Sequence, residues 1–132
     1  MSRTNAEAQI SIYGKEKGMI ILSMPVARQD LASVEPVMFF DDWIKCVADI
    51  DKGLIAVNAA MHFELEQLLL DNGSAQESLY GFNIWFDPFE IEYDSLINAP
   101  RNRAAGYPRD GRGVADPAAR KKIEELVEKW LH

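Results

Sequence analysis

The stretch Trp43–Arg103, WIKCVADIDKGLIAVNAAMHFELEQLLLDNGSAQESLYGFNIWFDPFEIEYDSLINAPRNR, decides the fold. Trp43–Ile50 alternates, with Ile44, Cys46, Ala48 and Ile50 on one face and Trp43, Lys45, Val47 and Asp49 on the other. The first face reads as the core side. Asp51-Lys52-Gly53 has the composition of a three-residue hairpin loop, with glycine where φ must be positive. Leu54–Asn58 returns as the second strand. Met61–Asp71 follows the helical period, presenting Leu65, Leu68, Leu69 and the neighbouring Phe63 and Leu70 on a broad apolar face, and Gly73 after Asn72 suits a left-handed termination. Ser74 and Glu77 have capping-box spacing, which predicts one short helical turn. Two aromatic-rich strands follow, Tyr80–Phe86 and Phe89–Ile97, joined by Asp87-Pro88, with Gly81 marking a bulge. In the second of them Glu90, Glu92 and Asp94 share a face and read as solvated.

Outward from this stretch the signals thin. Residues 1–18 are a polar leader. Its Gln9–Tyr13 segment alternates weakly and reads either as a strand that Gly14 and Gly18 turn into Met19–Ser23, or as a frayed extension. Ala27–Val34 reads as a short helix closed by Pro36, and Phe39-Phe40 as an apolar pair packed under the sheet. Ala99–Ala115 contains Pro100, Gly106, Pro108, Gly111 and Gly113 and reads as an irregular loop. Asp116 is a good N-cap, and Pro117 suits the first position of a helix running to about Leu131. Ala119, Ile123, Leu126, Val127 and Trp130 form its buried stripe. The expected class is α/β (α+β). It has a mainly antiparallel sheet of about four to six strands, with two principal helices packed on one face, as a single domain over 19–132.

The formal net charge of −7 is unevenly spread. Residues 1–98 hold sixteen acidic and six basic residues, whereas 99–115 hold four arginines against Asp110. An acidic body with one basic loop makes nucleic acid a poor partner. No apolar run approaches the roughly 20 residues that span a bilayer, and the N-terminus lacks the pattern of a secretion signal. Cys46 is the only cysteine, lies in an apolar run and fits a reducing cytosol as a small core residue.

Two constellations could carry chemistry. The first is the arginine loop over 99–113. There Asn98, Arg101, Asn102 and Arg103 read as a ligand-binding anion cradle, with Arg109 and Arg112 further on. The bland alternative is surface pairing with the acidic body. The second is the start of the helix, where His62 and Glu66 share a face. Joined by Glu77 or Asp94 as orienter and Arg101 or Arg103 as anion holder, His62 would serve as base in a small hydrolase acting on a phosphate-containing substrate. The bland alternative is a first-turn histidine with acidic residues favoured by the helix dipole. No phosphate loop, nucleophile elbow or paired zinc motif is present, so no metal and no cofactor is expected.

Several strings together resemble a small prokaryotic family known only as a domain of unknown function. They are Trp43 through Gly53, Met61-His62 through Ser74, Gln76 through Asn83, Glu92 through Asn98, and Val114-Ala-Asp116-Pro117 to the end. The resemblance covers about residues 19–132 and implies a fold unit without an assigned activity. The leader, and the run Ala99-Pro100-Arg101-Asn102-Arg103 with the residues after it, depart from the family pattern. The expected function is a small cytoplasmic binding module. It takes an acidic ligand or protein partner at the arginine loop, or pairs with itself as a homo-oligomer through Trp43 and Trp85 as exposed anchors. The hydrolase using His62, Glu77 and Arg103 is the alternative.

Overall fold

The computed structural model describes residues 11–13, 18–22, 24–27, 30, 39–40, 43–107 and 111–131. The centre of the fold is the hairpin read from the opening stretch. Strand β4 (Trp43–Asp49) pairs antiparallel with β5 (Leu54–Val57), and Gly53 closes the turn at φ +72°. Asp49 holds this turn from inside. Its carboxylate accepts from the amides of Asp51 and Lys52 at 3.0 and 2.9 Å and from the Ser74 hydroxyl at 2.6 Å.

On its other side β4 pairs with β6 (Leu79–Phe86) through seven residues in unbroken register, and β6 pairs with β7 (Phe89–Glu92). On the far side of β5 lie β2 (Met19–Leu22) and then β1 (Ser11–Tyr13), so the leader contributes a strand of the hairpin reading. Phe39–Phe40 forms β3, beside Trp43 and Ile44 of β4. Every pairing between these strands is antiparallel, and the order is β1-β2-β5-β4-β6-β7, with β3 off this path. The fold is therefore α+β. The helix expected at 27–34 lies almost wholly outside the described residues.

Helix α1 (His62–Asp71) and helix α3 (Pro117–Trp130) are the two long helices. They do not share a face, contrary to expectation. Leu65, Leu68 and Leu69 of α1 pack on Val47, Ala56 and Leu79. Ala119, Ile123 and Val127 of α3 pack on Ile44, Cys46, Ala48, Phe82 and Ile84. Neighbours along a strand point to opposite faces, so these are the two sides of one sheet. By its alternation only the first face of β4 reads as the core side, but Val47 and the fully enclosed Leu79 make the second a core face too.

Helix α2 (Asn98–Ala104) lies inside the segment read as irregular. Pro100 stands in its first turn, where a missing amide hydrogen costs no helical bond. β7 also ends earlier than expected, because past Glu92 the amide of Ser95 bonds to the carbonyl of Arg112 at 2.8 Å rather than to the sheet. Gly81 sits in continuous register and not at a bulge. A Cβ there would lie 2.5 Å from Ser95 Oγ, so glycine is required by close approach. The final helix is as read: Asp116 accepts from the Ala118 amide at 3.0 Å, and Pro117 opens the helix.

Candidate functional site

The residues read as an anion cradle are mostly spent on architecture. Asn98 is fully buried. Its carbonyl accepts from the Gly81 amide at 2.8 Å, and its amino group donates to the carbonyls of Gly81 and Arg112, both at 2.9 Å. Asn102 does the same for the next segment, accepting from Ala115 and donating to Gly111 and Gly113. Arg101 is buried under α2. Its Nε donates to the carbonyls of Gln76 and Leu79, Nη1 to that of Ile97, and Nη2 to the Glu66 carboxylate. Glu66 is thus the partner of Arg101 and not of His62. Arg103 lies exposed on α2, and Arg109 falls outside the described residues. The four residues of the expected cradle do not converge on one space. Asparagine and arginine carry enough donors to satisfy irregular backbone, and here they are used for that.

The hydrolase constellation is not assembled either. His62 borders one recess, lined also by Lys45, Ser95 and Arg112, whereas Glu77 borders another beside Tyr80 and Arg101. Arg103 borders neither. Asp94, the other orienter considered, is paired with Arg112. No group of three or more potential metal ligands occurs among the described residues.

What does converge is a chain of polar contacts on the sheet face beside the N-terminus of α1. His62 is buried, and its Nε2 lies 3.0 Å from both the Phe82 carbonyl and Asn83 Oδ1. Both atoms are acceptors, so Nε2 carries hydrogen and donates to them. The amino group of Asn83 donates to Glu92 at 3.0 Å, and the indole of Trp85 donates to the same carboxylate oxygen at 3.3 Å. Trp85 stacks on Trp43, its partner in register, with ring centroids 5.6 Å apart. Lys45 Nζ lies 4.8 Å from the Trp43 ring centre. A carboxylate therefore orients an amide, and the amide orients an imidazole. Sequence alternation could find Asn83 and Glu92 on strands but not the register that joins them.

Burial holds the His62 pKa below its ordinary value, the nearby Lys45 adds to this, and the two acceptors on Nε2 and the Asp94 charge oppose it. The imidazole is thus neutral at pH 7, and its Nδ1 is a bare lone pair. Among the described residues every fully enclosed side-chain nitrogen or oxygen has a partner. No partner lies on Nδ1, so that atom is not fully enclosed, and His62 lines a recess of about 160 Å³. The rim of this recess is apolar. It contains Met61, Phe63 and Leu96, three of the large hydrophobic side chains that the molecule exposes. Lys45 and Arg112 stand at its sides, Arg112 with Asp94 as partner.

The model of one protein family, described as "Protein of unknown function (DUF5674)", matches residues 20–130. The chain belongs to this family. Within the match fall the chain from Ile20 of β2 to the end of α3, both recesses and the whole Glu92–Asn83–His62 relay, while β1 precedes it. No curated protein and no solved structure matches. No helix among the described residues is long and apolar enough to cross a membrane.

Proposed function

We propose that this member of the family is a small cytosolic binding module, and that its ligand enters the recess over His62. The observation that carries the reading is the buried imidazole, held through Nε2 by a relay while it lines a recess with an apolar rim and with Lys45 and Arg112 at its sides. Such a site calls for three things in one ligand. An N–H donor would meet the Nδ1 lone pair. A carboxylate would lie near Lys45 and Arg112. An apolar body would cover Met61, Phe63 and Leu96. An acylated amino acid, or the end of a peptide chain, has all three. The expected acidic ligand is kept, but its seat moves from Arg101 to Arg112 and Lys45.

A binding role is favoured over hydrolysis by where the candidate groups lie. The hydrolase needs His62, Glu77 and Arg103 around one substrate, yet His62 and Glu77 border separate recesses and Arg103 borders neither. Trp43 and Trp85, read as anchors for self-association, stack against each other and stiffen the face beside the recess.

The test is a two-dimensional NMR titration of the intact protein with N-acetyl-leucine, its amide and leucine. The expected result is movement of the His62, Phe63 and Leu96 signals with N-acetyl-leucine. The effect is weaker with the amide, which lacks the carboxylate, and is lost in Lys45→Met. Equal movement with all three compounds, or none with any, removes the reading.

A further inference from the structure

The sheet ends at β7, which among the described residues pairs with β6 alone. A strand with one partner leaves alternate N–H and C=O groups pointing outward, ready to accept another strand. Beside this edge runs a groove of about 580 Å³ between β7 and α3. Its floor is apolar: Phe89 and Ile91 come from the strand, and Val127 and Leu131 from the helix side. Phe89 is 46% exposed, among the most open large hydrophobic side chains in the molecule.

Among the described residues the charged side chains that line the groove, Glu90, Glu124 and Glu128, are all acidic, and no lysine or arginine is among them. Tyr93 donates its hydroxyl to Glu124 at 3.1 Å and has Arg120 over its ring at 4.5 Å, which marks the end of the groove nearest a cation. On the other face of β7, Glu90 and Glu92 project from alternate positions. We infer that the β7–α3 groove is a docking surface for an extended segment of a protein partner in which apolar and basic residues alternate, added as a further strand on β7.

Both halves of that chemistry follow from the geometry. In a strand laid along β7, every second side chain would turn toward Ile91 and Val127, where only an apolar group is well received. The side chains between would turn toward Glu90 and Glu92, where opposite charges on neighbouring strands attract. Glu124 and Glu128 would take the basic residues flanking the segment. A second copy of this chain is a poor occupant, since its own β7 would bring Glu90 and Glu92 against the same carboxylates. The groove and the His62 recess share no lining residue, although Glu92, on the other face of β7, also ends the relay to His62. The variants below leave Glu92 in place, so either reading can fail without the other.

The experiment uses the full chain and the labelled peptide Lys-Val-Lys-Val-Lys-Val, followed by fluorescence anisotropy and by amide chemical shifts. Binding is expected to move the amides of residues 89–92 and 124–131 and to weaken with salt. The double variant Glu90→Lys with Glu128→Lys changes only exposed side chains, and circular dichroism checks that it folds. It should bind the basic peptide roughly tenfold or more weakly and gain affinity for Glu-Val-Glu-Val-Glu-Val. The inference is overturned if the double variant binds unchanged, or if the acidic peptide binds the unaltered protein equally well. It is also overturned if the block peptide Lys-Lys-Lys-Val-Val-Val binds as tightly as the alternating one, or if the shifts fall outside β7 and α3. A concentration-dependent dimer that protects residues 89–92 would overturn it in favour of a second copy.

Discussion

At Arg101 and His62, two residues singled out for chemistry, burial has opposite consequences. The Arg101 guanidinium is surrounded by three carbonyls and the Glu66 carboxylate, so its charge is balanced and its position fixed. Arg101→Ala would leave Glu66 partly buried without a partner. That change should lower stability by about 3 kcal/mol, whereas Glu66→Gln should cost less because an amide oxygen still accepts. Urea titration of both variants checks the order, and equal small losses would mean the pair does not hold α2 down. His62 has no charged partner, so it stays neutral. Its folded pKa lies below the ordinary value of about 6.5, so the unfolded chain binds a proton that the folded protein refuses. The stability from keeping this group neutral is present above about pH 6.5 and is lost as pH falls toward the folded pKa. The urea midpoint should therefore drop between about pH 7.5 and about pH 5.5, and His62→Gln should flatten that drop. An unchanged slope in His62→Gln would contradict the assignment.

Among the elements, α3 and β6 carry the clearest expectations. α3 rests on packing more than on its cap. Ile123 is fully enclosed against the sheet, and Ile123→Ala should cost about 3–4 kcal/mol. Asp116→Ala removes one capping bond at an exposed end and should cost about 1 kcal/mol. Thermal unfolding of the two variants measures the gap, and a larger loss at Asp116 would reverse the argument. In β6, Gly81→Ala would push a methyl group onto the Ser95 side chain and to 3.2 Å from Ile97. It should destabilise by about 1–3 kcal/mol, the usual cost of overpacking, and Ser95→Gly in the same chain should recover part of it. The cap, stripe and terminus of α3 were legible because each rests on residues adjacent in sequence. α2 was not. Its Pro100 reads as a breaker until its place in the first turn is known, and its buried side, Asn98, Arg101 and Asn102, is polar rather than apolar. An element that buries amides and a guanidinium leaves no hydrophobic period to detect.

For the whole molecule, the sheet is covered on both faces, and Cys46 lies fully enclosed between β4 and α3. Burial pushes its thiol pKa far up, so no thiolate is available in the folded state. A thiol reagent at neutral pH should modify the native protein only at the rate of global opening and should react at once in urea. Fast reaction without denaturant would mean that α3 detaches on its own. By itself the sequence determined the α+β class, the β4–β5 hairpin, the ends of α1 and α3, and membership of the fold unit. These depend on periodicity, capping and turn residues within a few positions of one another. Tertiary structure alone decided that the two long helices lie on opposite faces, that Asn98, Arg101 and Asn102 are internal scaffolding, and that Glu92, Asn83 and His62 form one relay. Each of those outcomes depends on strand register and on which polar group finds its partner across a long loop, and neither is encoded in local spacing.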